Sequence, residues 1–200
     1  MEVTFVVIDD TISIKEHPLL YTLEDKGFKV LFFQNPEQGL DFIKNHLELN
    51  IIVLLDIQFS ATDNENGHSI LKKINEKSEL IPVILWSGID ETEETFSDFI
   101  NNNAFGFISK ASTIEESLVS IEKALIFLKT NLDNTIEDWI IQKEEDKDLP
   151  IFISSEGNSF SLNEILHEIR TQTEVGKSFS RRLNELTIDL LLRKKESLNG

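Results

Sequence analysis

The chain has no cysteine. Disulfides, thiolate metal sites and a cysteine nucleophile are therefore excluded. It has no arginine before residue 170; Arg170, Arg181, Arg182 and Arg193 are the whole set. Twelve lysines are the only basic residues among the first 150, against 29 acids. The formal net charge is −17, and a field of that sign argues against a general nucleic-acid binder. No apolar run approaches the ~20 residues of a membrane helix. The first residues run straight into a strand pattern without a basic start, so no signal peptide is expected. A soluble cytoplasmic protein is the simplest expectation. Two hundred residues allow one domain with an appendage, or two small domains.

What is present begins with Ile51-Ile-Val-Leu-Leu-Asp56. A short apolar run without alternation reads as a strand buried on both faces, as inside a parallel sheet. It ends on a carboxylate, where open α/β sheets place their ligands. Val3 to Ile8 is a similar run ending in Asp9-Asp10. Lys29 to Phe33 is a third strand. Pro82 to Trp86 ends in Ser87-Gly88, and Phe105 to Ser109 ends in Lys110. Between them lie helical patterns. Leu19, Leu20 and Leu23 follow Pro18 and stop at Gly27; Leu40, Ile43 and Leu47 follow Pro36. Ile70, Leu71 and Ile74 follow Gly67, and Phe96, Phe99 and Ile100 mark a fourth helix. Five alternations of strand and helix predict a doubly wound α/β fold on a five-stranded parallel sheet.

The strand ends then carry the chemistry. All lie on one edge of such a sheet. Asp9, Asp10 and Asp56 make an oxygen-only site suited to a hard divalent cation, and Mg²⁺ takes few carboxylates plus a phosphate. A cation there neutralises an incoming phosphoryl group. Asp56 can attack phosphorus and form an acyl phosphate. Lys110 is a mobile charge for a phosphoryl oxygen, and Ser87 can hydrogen-bond another. Gly88 leaves room for a donor.

These five positions, Asp9-Asp10, Asp56, Ser87 and Lys110, resemble a response-regulator receiver domain of two-component signalling over residues 1 to about 130. Phe107 falls on the family's switch-aromatic position. The resemblance implies the flavodoxin-like strand order 2-1-3-4-5 and phosphorylation of Asp56 by a histidine kinase or phosphotransfer protein. It implies Asp10 as a direct Mg²⁺ ligand, Asp9 acting partly through water, and the backbone carbonyl of Gln58 as a further ligand. It implies a switch through Ser87 and Phe107, and no catalysis beyond the domain's own phosphoryl transfer and dephosphorylation. The sequence also departs from the family. Ser60 replaces the usual proline four residues after the acceptor, and Ala111 replaces the one after the lysine. The loop from Asp56 to Gly67 and the approach from Asp10 to Pro18 are long. Two other readings stand beside this one. One is a pseudo-receiver that binds partners without phosphorylation. The other is a phosphatase-like enzyme with Asp56 as nucleophile, against which Gln58 counts, because such enzymes carry an acid there.

The remaining chain changes character. Residues 151–200 hold seven acids and seven bases. Residues 131–150 read as a helix extension and acidic linker, and 151–200 as a helical output or interaction module. Ile114, Leu118, Ile121, Leu125, Leu128 and Leu132 form a heptad seam that continues into Ile136, Trp139 and Ile140. It fits a final helix covered by its own tail, or a homodimer contact. Ser161-Leu-Asn-Glu164 fits a capping box. The stripes Leu162, Ile165, Leu166, Ile169 and Phe179, Leu183, Leu186, Leu190 read as a helical hairpin. Two short helices bury too little alone, so the tail is expected on protein: its own extended helix, a second copy or a downstream effector. Its arginines are expected to pair with acids between Glu137 and Asp148. Equal acids and bases give no ground for direct DNA binding. Gly176-Lys177-Ser178 lacks the first glycine and the preceding strand of a phosphate-binding loop. His167-Glu168 resembles a histidine-kinase phosphoacceptor box, but the helices are short and no ATP-binding domain follows; a solvated histidine is the simpler reading.

Overall fold

The computed structural model describes residues 2–59, 66–88, 103–144 and 146–198, the last six of these as backbone only. Ser60 and the helix expected at Phe96, Phe99 and Ile100 lie outside them. The chain divides into two compact units, residues 1–130 and 131–200.

The first unit is a parallel sheet of β1 (Val3–Ile8), β2 (Lys29–Phe33), β3 (Asn50–Leu55), β4 (Val83–Ser87) and β5 (Gly106–Ser109). The order is β2-β1-β3-β4-β5. The central strands β1, β3 and β4 are buried almost throughout, and they coincide with the predominantly apolar runs. The edge strands β2 and β5 are only half-buried. Alternation along the strands splits the core in two. Val6, Ile8, Val53, Leu55, Val83 and Leu85 face α2 (Pro36–Asn45) and α3 (Gly67–Asn75). Phe5, Val7, Ile52, Leu54, Ile84, Trp86 and Ile108 face α1 (Pro18–Asp25) and α4 (Ile114–Thr130).

Helix starts follow short polar side chains. Asn35 Oδ1 accepts from the Gln38 N–H, and Asn66 Oδ1 from the Ser69 N–H. Pro18 and Pro36 occupy the first helical positions. The long approach to α1 is filled by a 3-10 turn, Ile12–Glu16, after which His17 Nδ1 accepts the Leu19 N–H. Gly27 ends the α1 connection at φ +86°, a backbone region that costs a glycine little.

The seam after Lys110 is not one helix. It breaks between Thr130 and α5 (Leu132–Gln142). Asn131 Oδ1 accepts the Asp133 N–H at 2.8 Å, and a side-chain acceptor of this kind starts a new helix. Ile121 and Leu128 are buried in the first unit, Ile136 and Ile140 in the second. The apolar spacing thus serves two cores.

In the second unit, the residues 131–150 read as extension and linker group with the tail. The expected helix pair is present as α6 (Leu162–Arg170) and α7 (Glu174–Leu198). The capping box is formed: Ser161 Oγ accepts the Glu164 N–H, and Glu164 accepts the Ser161 N–H. A β-hairpin that the stripes do not announce precedes the pair, β6 (Pro150–Ile153) against β7 (Ser159–Ser161), turning at Gly157 with φ +88°. Its inner face packs Phe152 edge-on against Phe179 at 5.3 Å. Gly176 lets α7 approach α6: a Cβ there would stand 2.3 Å from the Glu168 carbonyl oxygen. Arg170 reaches Glu137 on α5, Nε to Oε1 at 2.5 Å, with both side chains largely buried. This meets the expectation that a tail arginine pairs with an acid in that stretch. Burial raises the Glu137 carboxyl above its usual range, and the Arg170 guanidinium pulls against that shift.

Candidate functional site

Strand register assembles the site. β1 and β3 pair Ile8 with Leu55 as their last partners. One residue further on, Asp9 and Asp56 leave the sheet side by side. The Asp9 N–H donates to Phe33 O and the Asp56 N–H to Ile8 O, so both backbones are held at the edge. β4 and β5 end on the pair Ser87 and Ser109, and the Lys110 N–H donates to Ser87 O at 2.7 Å. Parallel strands ending at one level thus bring four chain-distant segments to one edge.

The side chains converge as well. Asp9, Asp10 and Asp56 each offer a carboxylate oxygen, and these oxygens lie within 4.8 Å of one another. Asp9 and Asp56 are only 1% and 6% exposed. The Lys110 ammonium bridges them, 2.6 Å from Asp9 Oδ2 and 3.2 Å from Asp56 Oδ1. Asp9 Oδ1 also accepts the Thr11 N–H, and Asp56 Oδ1 its neighbour's at Ile57, each at 2.9 Å. Burial pushes the Asp56 carboxyl up, the Asp9 charge pushes it further, and Lys110 opposes both. Asp9 and Asp56 thus share one ammonium. An all-oxygen donor set with excess negative charge fits a hard divalent cation.

Ser87 is buried at the end of β4. Phe107 pairs with Leu85 across the sheet and packs, half-buried, against the α2 and α3 side of the core. Gln58 is exposed, two residues beyond Asp56. His167 is exposed on α6.

Two supports escape sequence reasoning. Gly67 starts α3 directly over the acceptor: a Cβ there would stand 2.6 Å from Asp56 O and 2.8 Å from Ile57 Cα. Its N–H donates to Ile57 O. A glycine before a helical pattern is the signal, though it cannot say what lies beneath. His17 meets Trp86 edge to face, ring centroids 4.9 Å apart, and nothing local in the sequence announces that contact. At Gly88, read as room for a donor, a Cβ would meet Lys110 Cδ at 3.9 Å among the described residues.

The family model described as "Response regulator receiver domain" matches residues 5–122. No curated protein matches the chain. Among solved structures, a CheY-like response regulator receiver domain protein from Methanospirillum hungatei is 23% identical at a TM-score of 0.55, covering 64% of this chain and 98% of that one. A two-component response regulator from Clostridium difficile is 19% identical, TM-score 0.54, covering 62% and 97%. The chemotaxis protein CheY4 of Vibrio cholerae is 17% identical, TM-score 0.54, covering 62% and 99%. At these identities the neighbours share the fold of the first unit. Among the described residues no helix is long and apolar enough to cross a membrane.

Proposed function

The chain belongs to the response-regulator receiver family, and from that premise we propose that it is a phosphorylation switch whose acceptor is Asp56. The observation that carries this reading is the cluster of three carboxylates, two of which, Asp9 and Asp56, are bridged by Lys110. Asp9, Asp10 and Asp56, with the backbone carbonyl of Gln58, would hold Mg²⁺. That cation supplies charge neutralisation between an acceptor carboxylate and a phosphoryl group.

The chain's own residues do the rest. A carboxylate oxygen of Asp56 forms the bond to phosphorus as the donor's bond breaks, a P–N bond in a phosphohistidine or a P–O bond in acetyl phosphate. Lys110 already stands at 3.2 Å from that carboxylate. It exchanges its carboxylate contacts for a phosphoryl oxygen. Ser87, at the end of the neighbouring strand, donates to another. Both strand ends are drawn towards the acyl phosphate, and Phe107 moves with β5, which biases an existing equilibrium. The donor is a histidine kinase or phosphotransfer protein. The output is a protein contact, with a downstream effector or a second copy and without direct DNA binding. The chain catalyses only its own phosphorylation and dephosphorylation, in the cytoplasm.

Intact-mass spectrometry after exposure to acetyl phosphate tests this. One phosphoryl group is expected with Mg²⁺ and none with chelator. Asp56→Asn abolishes it. A group that survives in Asp56→Asn, or none with any donor, refutes the acceptor assignment.

A further inference from the structure

Among the described residues of the second unit, α7 is exposed from Leu186 to Leu192. From Phe179 to Arg182 the helix lies on the inner face of the β-hairpin: Phe179 meets Phe152, and the Arg182 guanidinium lies 5.3 Å from the Phe152 ring centroid. Arg182 also donates to Ile153 O. Beyond Leu183 the helix leaves that support. Leu186, Ile188, Leu190, Leu191 and Leu192 are 49 to 63% exposed. At 3.6 residues per turn, Leu186 and Leu190 continue the stripe of Phe179 and Leu183, while Ile188, Leu191 and Leu192 fall on the opposite side. A helix end that is apolar on two sides is one that is covered on both. The hairpin shows a second open patch. Leu149, Ile151 and Ile153, at alternate positions, are 51 to 65% exposed on the face away from Phe152.

We propose that a second copy of this chain covers both patches, through a two-fold contact between the leucine-rich ends of α7. The stripe of Leu186 and Leu190 packs on the same stripe of the partner. Ile188, Leu191 and Leu192 pack on the partner's open hairpin face. Under two-fold symmetry each copy offers both patches and receives both.

Two quantities favour a second copy over another protein. The first is area. Each of the five α7 side chains leaves on the order of 100 Å² in water, and with the hairpin patch two copies can bury more than the roughly 1,000 Å² that a specific interface requires. The second is charge. Residues 1–150 carry 29 acids against 12 bases, so any self-contact there sets like against like. Residues 151–200 carry seven of each, and burial against themselves has no net Coulombic cost.

Sedimentation velocity on the full chain tests this. A dimer with a dissociation constant near or below about 10 µM is expected. Leu190→Glu and Ile153→Glu each weaken it by about 100-fold or more, because each buries an unpaired charge. Both side chains are exposed in the single copy, so helicity and Asp56 phosphorylation stay as in the parent. Asp56→Asn leaves the dimer intact, which separates this contact from the acceptor reading. Since the chain has no cysteine, Leu190→Cys alone should form an interchain disulfide on mild oxidation, and Lys44→Cys on α2 should not. A monomer at about 100 µM overturns the proposal. So does a dimer indifferent to Leu190→Glu, or a monomer whose α7 instead binds anionic lipid vesicles.

Discussion

Removing the Glu137 carboxylate should unfold the second unit at a much lower temperature. Glu137 and Arg170 keep only 12% and 14% of their side chains in water, with the guanidinium Nε at 2.5 Å. Glu137→Ala removes the carboxylate that the largely buried Arg170 guanidinium contacts through Nε. Breaking a buried pair in this way costs about 3 to 5 kcal/mol when burial is complete, and the residual exposure here favours the lower end, about 3 kcal/mol. For a unit of this size each kcal/mol moves the midpoint by about 4 to 8 °C. A fall of roughly 12 to 24 °C is therefore expected. The chain has two tryptophans, one in each unit: Trp86 on β4 and Trp139 on α5. In a Trp86→Phe background, Trp139 fluorescence follows the second unit alone. Arg170→Ala should cost a comparable amount, and the double variant much less than the sum. A drop under about 3 °C, or strict additivity, would refute the pairing argument. The pH dependence has a definite sign. Burial raises the folded carboxyl above its usual 4.5, against the pull of Arg170. This group's stabilising contribution is then fully present below 4.5 and is lost as pH rises through the raised folded value. Acidification from neutral towards 4.5 should thus stabilise the parent relative to Glu137→Gln, and a difference curve of opposite slope would count against the burial argument.

Gly67→Ala forces a Cβ to within 2.6 Å of the Asp56 carbonyl oxygen; it should slow phosphorylation by acetyl phosphate by about tenfold or more while far-ultraviolet circular dichroism stays unchanged. An unaltered rate would show that α3 does not position the acceptor. Gly176→Ala sets two effects against each other: helix propensity gains about 1 kcal/mol, while overpacking against the Glu168 backbone costs about 1 to 3 kcal/mol. With the contact at 2.3 Å on backbone atoms that cannot swing aside, overpacking should win, and a rise in the Trp139 melting midpoint would disprove the close approach.

The parts of the fold legible in the sequence are those that a single physical rule dictates. β1, β3 and β4 are buried on both faces, so they read as predominantly apolar runs without alternation, and their common ending level converts three strand ends into one site. The break at Asn131 escapes that rule. Apolar spacing continues through it, and only the side chain's acceptance of the Asp133 N–H separates the helices. The β-hairpin escapes because strands of four and three residues are too short to show a period. Gly67 and Gly176 are visible as glycines, but what a Cβ would strike is set by backbone elsewhere in the chain. The stretch from Asp56 to Gly67 is visibly long, yet length alone dictates no conformation.

The same comparison separates the two buried charge clusters. Among the described residues the buried acids are Asp9, Asp56 and Glu137. Glu137 faces the opposite charge of Arg170, and this contact holds α5 to α6. At the strand ends Asp9 and Asp56 share the ammonium of Lys110, with a carboxylate oxygen of Asp10 within 4.8 Å of theirs. The imbalance appears in the upward push on Asp56, where the Asp9 charge adds to burial. A fold selected only for stability would neutralise or remove such a cluster, since buried charge is among the costliest features a core can carry. Its persistence at the level edge of a parallel sheet is what a site awaiting external positive charge requires. A cation that binds the folded chain and not the unfolded one must then stabilise it by mass action. The first unit, followed by Trp86, should therefore melt higher with Mg²⁺, and the second, followed by Trp139, should not. Equal shifts in both units would mean general screening of the −17 charge and would remove the case for a cation site at Asp9, Asp10 and Asp56.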